Sequence, residues 1–475
     1  MFVGRERELA KLERLYATGA FQMAVVYGRR RVGKTSLVQE FAKSKRTLFF
    51  TALDQADKDN LADFSRSIWD FFHMPRGAAF VSWSEAFDYL AARAFDERFV
   101  FVFDELPYAA GRNEAIPSAL QICIDAKMKQ TGLFVILCGS NQGFMESEVL
   151  GRKSPLYGRR TAQIKLEPLG YLDAAKMLPG VGTQDLFRYY GCFGGVPYYL
   201  EQIDLGLGFW DNVAELYFDV TGFLYDEPYG LLRQEFDEPA LYNSVLRAIA
   251  GGANRMGEIS DRTGIPRTSL PRYLKSLVGL GLVERVVPFG ENPDTSKKAL
   301  YRIKEACYDF WFTFVMPYVS DIERGLGQAA ARSIGEERLS EYLGHRFERL
   351  CAEWLVIQAN NGSLPISATQ VGSWWGTNPA IRQQDDIDVL AADPQGGRLL
   401  IGECKYRESF DETEVMRKLD LRMGLIKGYE VVSKVVFSKR PLSDATKLKL
   451  EKDPSYACID LEGMYSMADA SQLRP

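Results

Sequence analysis

The stretch that decides the fold runs from Gln22 to Ser36 and reads QMAVVYGRRRVGKTS. Its first part, Gln22–Tyr27, is largely apolar, carries two valines and stops at a glycine, a pattern typical of a buried parallel strand. The next segment, Gly28–Thr35, fits the phosphate-loop pattern G-x-x-x-x-G-K-[ST], and an amphipathic segment follows it. Strand, glycine loop and helix in this order predict a P-loop in an α/β fold.

Each residue type of this loop has a physical role in binding a nucleoside triphosphate. Gly28 and Gly33 let the backbone curl until its N–H groups point at the β-phosphate, and Lys34 reaches the β- and γ-oxygens. The Thr35 hydroxyl is a ligand for Mg²⁺, so ATP (or ADP) and Mg²⁺ are the expected cofactors. The residues expected to contact the nucleotide are Gly28, Arg29, Arg30, Arg31, Val32, Gly33, Lys34, Thr35 and Ser36.

A second apolar run, Phe99–Phe103, ends in two acids and has the Walker B pattern. Asp104 is expected to hold the Mg²⁺ shell, and Glu105 to polarise the attacking water, because phosphoryl transfer depends mainly on positioning and charge stabilisation. The sequence therefore predicts ATP hydrolysis as well as ATP binding.

Further short apolar runs predict the rest of a doubly wound parallel sheet, whose ligand binds at the carboxyl ends of its strands. These runs are Arg46–Thr51, Leu133–Leu137 and Gln163–Leu166. The run ending at Leu137 is followed by two polar residues that can sense the γ-phosphate, Ser140 being the better candidate and Asn141 the next.

The order of these motifs resembles the archaeal-type ATPases, AAA+-related proteins of the STAND class of nucleotide switches. The segments that carry the resemblance are Phe2–Glu6, the P-loop, Asp104–Tyr108, Gly139–Ser140, Tyr157–Arg160 and Gly194–Pro197. The resemblance implies that Arg5 lies near the adenine and that Arg159 or Arg160 contacts the γ-phosphate. It also implies that the turn containing Pro197 begins a helical lid.

Composition narrows the class of protein further. A chain of 475 residues with 46% hydrophobic and 25% charged residues folds into two or three domains. Seven scattered cysteines without a C-x-x-C pair signal no disulfide framework or zinc site, and two histidines leave little for a histidine metal cluster or a Ser-His-Asp triad. A charged N-terminal segment and the lack of a long apolar run favour a cytoplasmic protein that does not enter a membrane.

The middle of the chain predicts a winged helix-turn-helix. Three helices are expected at Leu241–Ile249, Met256–Thr263 and Ser269–Leu280, followed by a strand, a polar hairpin and a returning strand up to Ile303. Residues 267–302 carry seven basic and three acidic side chains, a local net charge of +4 in a chain of −5. That surface suits DNA phosphates, although a winged helix in STAND-type ATPases also serves as an intramolecular arm.

Near the C-terminus, two apolar strands flank Asp-Pro-Gln-Gly and predict a hairpin. If Asp393 pairs with Arg398 across this loop, then Asp388 faces Glu403, and Lys405 lies on the same face. Facing carboxylates destabilise a hairpin unless a cation lies between them, and a hydrated Mg²⁺ would meet that need.

This D…E-x-K arrangement is similar to the PD-(D/E)xK nucleases and to the nuclease-like domain that accompanies archaeal-type ATPases. The resemblance implies that Asp388 and Glu403 bind Mg²⁺ or Mn²⁺, with Glu348 as an extra acid, and that Lys405 orients the attacking water. A helix at Asp411–Leu425 is expected to carry Arg417, Lys418 and Arg422 toward a phosphate backbone. Two alternatives stay open: the domain cuts DNA, or its fold serves only for binding.

The predicted architecture is thus an α/β P-loop ATPase (AAA+/STAND-like) followed by a helical lid, a winged helix-turn-helix and a restriction-endonuclease-like α/β domain. The expected boundaries are 1–170, 171–235, 236–318 and 319–475. The predicted function is ATP hydrolysis coupled to action on DNA. The alternative is a nucleotide-switched signalling protein with a non-catalytic C-terminal scaffold, and self-association of the chain is left open.

Overall fold

The computed structural model describes residues 2–379, 381–450 and 452–466, and these fall into two compact units. The first unit holds the chain up to Leu169 together with Val196–Glu201. The second holds Gly170–Gly195 and the chain from Gln202 onward.

The first unit is built on a parallel sheet of five strands in the order β2-β3-β4-β1-β5. The strands are β1 (Gln22–Tyr27), β2 (Thr47–Thr51), β3 (Val100–Asp104), β4 (Phe134–Gly139) and β5 (Ala162–Lys165). All five lie within two residues of the predicted runs. The strand order places β4 between the P-loop strand β1 and the acidic strand β3, a fact that the sequence alone did not provide.

Helices cover both faces of this sheet. They are α1 (Glu6–Ala17), α2 (Lys34–Ala42), α3 (Asp57–Phe71), α4 (Trp83–Asp96), α5 (Leu106–Arg112), α6 (Ile116–Ala126) and α7 (Gln142–Phe144), the last continuing as a π-helical turn at Met145–Val149. Met23 and Val25 of β1 share a buried core with α3, α4 and α6, whereas Ala24 and Val26 share another with α1 and α2. Burial on both faces explains why the central strands β1, β3 and β4 are buried throughout, whereas the edge strand β5 alternates between buried and exposed residues.

The chain then crosses between the units. Helices α8 (Tyr171–Lys176) and α9 (Thr183–Phe193) belong to the second unit, and α10 (Pro197–Leu200) returns to the first. Two further helices, α11 (Phe209–Tyr217) and α12 (Glu227–Glu235), lead on into the second unit.

A winged helix-turn-helix follows, as predicted. It consists of α13 (Pro239–Ala250), α14 (Met256–Thr263) and α15 (Leu270–Gly279), with the antiparallel strands β6 (Val283–Val286) and β7 (Leu300–Ile303). The next segment forms α16 (Ala306–Phe310), a π-helical turn (Trp311–Val315) and a 3-10 turn (Met316–Tyr318), and its buried rings are those of Tyr308, Phe310, Trp311, Phe312 and Phe314.

The C-terminal part carries a mixed sheet in the order β12-β11-β10-β9-β8. Strands β8 (Gln370–Asn378), β9 (Gln383–Asp393) and β10 (Arg398–Lys405) form an antiparallel meander, and β11 (Glu430–Ser438) and β12 (Tyr456–Asp460) continue it in parallel. Helices α17 (Val319–Glu323), α18 (Gly327–Asn360), α19 (Glu412–Leu421), α20 (Asp444–Leu450) and α21 (Leu461–Tyr465) complete it. The helical geometry of α18 is broken at Gly335 (φ 67°).

The start of the wing loop is docked on the C-terminal sheet. The Phe289 backbone N–H donates to the Ser373 carbonyl of β8 at 2.8 Å, and the Phe289 ring meets Tyr429 edge-on at 5.6 Å between centroids. The base of the wing, directly after β6, is therefore held against this sheet, whereas residues 292–295 in the middle of the loop are exposed. Within the described ranges, none of the helices has the length and apolar character needed to cross a bilayer.

Candidate functional site

The P-loop backbone curls through residues with left-handed or similarly unusual torsions. Gly28, Arg31 and Gly33 have φ of 146°, 69° and 90°, and Gly33 directly precedes α2. A Cβ at Gly28 would lie 2.3 Å from the Leu166 carbonyl oxygen, so only glycine fits there. Such a turn at a helix N-terminus directs backbone N–H groups inward and suits an anion.

The Lys34 side chain lies across this loop. Its buried ammonium donates to the carbonyl oxygens of Gly28 at 2.9 Å and Arg29 at 3.0 Å. Because these are neutral acceptors, phosphate oxygens can replace them with a gain in electrostatic energy. The loop and Lys34 therefore fit a bound phosphate chain.

Thr35 and Asp104 meet at the carboxyl end of the sheet. The Thr35 hydroxyl lies 3.5 Å from Asp104 Oδ2, and burial, reinforced by the neighbouring Glu105 carboxylate, raises the pKa of Asp104. A buried carboxylate and a hydroxyl are the hard oxygen donors that Mg²⁺ prefers. These residues fit a nucleotide-bound Mg²⁺.

Glu105 and Ser140 are bonded to each other. Glu105 Oε2 accepts from the Ser140 hydroxyl at 2.8 Å and from the Ser140 backbone N–H at 3.1 Å. Sequence reasoning gave these residues separate roles and missed their bond, which follows from the adjacency of β3 and β4. Asn141, the second candidate sensor, instead caps α7 by accepting from the Phe144 N–H at 2.9 Å.

The other predicted loop residues line the same region. Arg30 donates to the Tyr108 hydroxyl at 2.6 Å, and the Arg31 guanidinium lies 5.3 Å from the centre of the Tyr198 ring. Pro197 lies beside the loop, its Cγ 3.9 Å from where a Gly33 Cβ would be. Arg29 is buried and Ser36 is exposed.

Arg5 anchors the loop from the N-terminal segment. Its buried guanidinium donates to the carbonyl oxygens of Val32 at 3.0 Å and Glu167 at 2.7 Å. These bonds give Arg5 a part in shaping the loop, and its adenine contact stays a prediction.

Arg159 and Arg160, the two arginines expected at the γ-phosphate, make their contacts outside the P-loop. Arg159 forms a two-pronged ion pair with Asp125, with Nε–O distances of 3.0 and 3.1 Å, and also donates to backbone carbonyls nearby. Arg160 donates to the Leu150 carbonyl at 3.3 Å. The γ-phosphate contact of either residue stays a prediction.

At the second candidate site, the C-terminal hairpin has the predicted register. Arg398 pairs with Asp393, and the ladder runs to Gly402 opposite Val389. Beyond it, Asp388 Oδ2 accepts from the Cys404 N–H at 2.7 Å. Burial, with the nearby carboxylates of Glu403 and Glu348, raises the pKa of Asp388 to about 7.

Both oxygens of Glu403 are engaged by cations. Lys405 Nζ donates to Oε1 at 2.6 Å, and the guanidinium of Arg422 donates to Oε2. Arg422 was expected on a helix pointing toward DNA, but α19 ends at Leu421 and the Arg422 side chain is buried among acids. Glu403, which was predicted to be a ligand of Mg²⁺, is thus paired with two cationic side chains of the same chain.

The predicted acids do not form a metal site in this arrangement. Among residues 2–379, 381–450 and 452–466, no three acid, histidine or cysteine side chains converge as ligands. Glu348 faces Arg302 at 3.8 Å and His345 at 3.5 Å instead. The predicted ligand set Asp388, Glu403 and Glu348 therefore does not fit Mg²⁺ or Mn²⁺ here.

Most basic side chains of the winged helix have intramolecular partners. These pairs are Arg267–Asp261, Arg272–Glu238, Lys298–Glu291, Arg302–Glu348 and Arg285 with the Ser296 carbonyl. Lys275 of α15 and Lys297 of the wing are exposed and have no such partner among the described residues. These two lysines are the available cations of this surface.

Comparison with known proteins agrees with this geometry. A family described as an ATPase domain predominantly from Archaea matches residues 2–203, the IclR helix-turn-helix domain matches residues 244–286, and a family of archaeal and bacterial proteins of unknown function matches residues 311–417. The fold and the site define a P-loop ATPase with a winged helix.

An uncharacterized protein of Methanocaldococcus jannaschii is 31% identical over 447 residues, which are 92% of this chain and 97% of that protein. The chain therefore belongs to this family of archaeal-type ATPases. An uncharacterized HTH-type transcriptional regulator of Mycobacterium tuberculosis is 36% identical over 72 residues, 15% of this chain and 43% of the regulator. Among solved structures, the Walker-type ATPase of Pyrococcus abyssi has 20% identity and a TM-score of 0.49, over 66% of this chain and 96% of that one.

Proposed function

We propose that the protein is an ATP-hydrolysing switch that acts on DNA, with its C-terminal domain under nucleotide control. The observation that carries the proposal is the meeting of Lys34, Thr35, Asp104 and Glu105 at one end of a parallel sheet. Bound Mg²⁺ would supply charge compensation for the transferred phosphoryl group. Lys34 binds the phosphates, Thr35 and Asp104 hold the metal, and Glu105 orients the attacking water.

The bond between Glu105 and Ser140 supports the switching part of this proposal. A carboxylate held by a serine is not aimed at water, so hydrolysis requires Glu105 to exchange partners. Ser140 follows the end of β4, the strand next to β1, and so lies where the γ-phosphate would arrive. Arrival of ATP would draw Ser140 away and release Glu105 for catalysis.

Two features support DNA as the partner. The helix-turn-helix places Lys275 on its third helix, the element that enters the major groove in this class of domain. The C-terminal order of helix, antiparallel meander, helix and parallel strand matches the nuclease-like fold suggested by Asp388, Glu403 and Lys405. The proposed division of labour uses the four predicted ranges: ATPase 1–170, lid 171–235, winged helix 236–318 and nuclease-like domain 319–475.

A specific observation favours the second candidate function, a nucleotide-switched protein whose C-terminal domain binds without cutting. Lys405 and Arg422 are both bound to Glu403, so this carboxylate is already paired with two cations of the chain. In this version the nuclease-like fold is a binding scaffold.

The deciding experiment combines ATP turnover with DNA cleavage. Lys34→Ala is expected to abolish nucleotide binding, and Glu105→Gln to keep binding while reducing kcat at least about 100-fold. Normal turnover by Glu105→Gln would contradict the role assigned to Glu105.

The purified chain is then incubated with supercoiled, linear and single-stranded DNA, with Mg²⁺ or Mn²⁺, with and without ATP. Cleavage that disappears in Lys405→Ala would favour the nuclease. DNA binding without cleavage would favour the scaffold, and no salt-sensitive DNA binding at all would sink the proposal that the protein acts on DNA.

A further inference from the structure

A buried arginine occupies the centre of the acidic cluster in the C-terminal domain. The Arg422 side chain is 5% exposed, and its guanidinium contacts three carboxylates. Nε and Nη2 lie 2.9 and 2.8 Å from Asp385 Oδ1, Nη2 lies 3.3 Å from Asp386 Oδ1, and Nη1 donates to Glu403. All three guanidinium nitrogens therefore donate to carboxylates.

The surrounding bonds hold this arrangement in place. Asp385 Oδ2 accepts from the Asn378 amide at 2.8 Å, and Asp385 Oδ1 also accepts from the Asp386 N–H at 3.0 Å. Glu403 is itself 4% exposed, so it depends on its cations rather than on water for solvation. The cluster is a built ion network and not a chance surface contact.

The shape of the cation matters here. A guanidinium is planar and donates in several directions at once, so one Arg422 can bridge acids from β9 and β10. A divalent ion that reached Glu403 would have to displace either Arg422 or Lys405 from an oxygen. Arg422 follows α19 in a turn, whereas Lys405 is paired with Ser438 in the sheet, so the Arg422 backbone can shift without breaking strand pairing.

We propose that Arg422 is a resident counter-cation that takes the place of a divalent metal, so that Mg²⁺ or Mn²⁺ binds the Asp388–Glu403 site only when the Arg422 side chain withdraws. This inference rests on the proposed nuclease-like fold, but not on DNA cleavage. It assigns to Arg422 a gating role, in which the closed state is stable without metal.

The test measures metal binding directly, without nucleotide or DNA. Full-length chains carrying Asp104→Asn, which removes the acid near the P-loop, are titrated with Mn²⁺, and free Mn²⁺ is followed by electron paramagnetic resonance. Against that background, Arg422→Gln is expected to bind one Mn²⁺ at least tenfold more tightly than the parent. Adding Glu403→Gln to Arg422→Gln is expected to remove the gain, which assigns the site.

Arg417→Gln is the matched control, because Arg417 pairs only with exposed Glu414 and should leave Mn²⁺ binding unchanged. Arg422→Lys keeps the positive charge but removes the planar guanidinium. This variant replaces Arg422→Gln if Arg422→Gln fails to fold, and its gain in Mn²⁺ affinity should be smaller. Thermal unfolding adds a second readout, since Mn²⁺ should raise the melting temperature of Arg422→Gln relative to EDTA but not that of the parent.

Equal Mn²⁺ affinity in the parent and in both Arg422 variants would overturn the proposal. This outcome is distinguishable from a failure of the proposed DNA cleavage. Absence of DNA cleavage in every variant would count against the nuclease while leaving the metal-binding difference intact.

Discussion

Glu105 has a left-handed backbone conformation, with φ of 50° and ψ of 43°, at the junction of β3 and α5. Residues other than glycine adopt this conformation at an energetic cost, and it persists where the surroundings enforce it. Here the two bonds from Ser140 provide that enforcement. The strained backbone aims the carboxylate along the strand ends, where a nucleotide would lie.

Glu353 shows how burial makes stability depend on pH. Glu353 of α18 is half-buried, and loss of contact with water raises the pKa of its carboxyl although it accepts from the Tyr171 N–H at 3.0 Å and the Tyr190 hydroxyl at 2.9 Å. An acid whose folded pKa exceeds its unfolded value of about 4.3 binds protons more tightly when folded, so stability falls as pH rises through that window.

We therefore expect Glu353→Gln to gain stability relative to the native chain as the pH rises above about 4.3, because glutamine never ionises. Urea unfolding followed by tryptophan fluorescence at several pH values measures the difference. Glu341→Gln, an exposed position on the same helix, should show no such trend. A native chain that gains stability over Glu353→Gln with rising pH would contradict the assignment.

At the scale of elements, local patterns were sufficient for the strands of the first unit, the wing and the C-terminal hairpin, whereas β11 and β12 were not predicted. The turn chemistry after Asp393 predicted the hairpin register, because a tight loop leaves few pairings. The order of the strands could not be predicted from the sequence, since parallel neighbours are joined by long crossovers whose local sequence does not indicate which strands pair. For that reason the Glu105–Ser140 bond was missed although both residues were singled out.

Arg422 illustrates a different limit. The hairpin pattern predicted a cation between Asp388 and Glu403, and the structure shows Glu403 paired with a guanidinium 19 positions farther along the chain, which also contacts Asp385 and Asp386. A helix predicted to reach Leu425 ends at Leu421, and those few residues decide whether Arg422 faces solvent or the acids. Helix ends are the least reliable part of any sequence-based prediction.

The junction of β1 and the P-loop gives a prediction at this scale. Gly28→Ala should weaken ATP binding about tenfold or more, because the new Cβ collides with the Leu166 carbonyl and the loop must shift. Titration with a fluorescent ATP analogue measures the loss. Gly111→Ala in α5 meets nothing within 4 Å and should bind normally, and unchanged affinity in Gly28→Ala would show that the loop adapts.

At the scale of the whole molecule, the docked wing ties the winged helix to the C-terminal sheet within one unit. Lys275 stays exposed on α15, whereas the base of the wing at Phe289 is packed against β8 and Tyr429. The middle of the wing loop, residues 292–295, is exposed like Lys275.

Phe289→Ala should destabilise the second unit by about 1–2 kcal/mol, since Phe289 is half-buried. Hydrogen exchange should become faster in β8 near Ser373, where the Phe289 N–H is bonded. Leu448→Ala, at a 57% exposed leucine, should leave both quantities unchanged. Unaltered exchange in β8 after Phe289→Ala would mean that the wing does not protect this edge.

The return of Val196–Glu201 to the first unit has a consequence for how the protein is made. When the ribosome has just added Leu169, the sheet and the P-loop are complete, but Pro197 and Tyr198, which lie against Gly33 and Arg31, have not been synthesised. The nucleotide site of a nascent chain is therefore unfinished until a stretch of its neighbour, Gly170–Gly195, has also emerged. The order of synthesis therefore makes completion of the first unit depend on prior synthesis of part of the second.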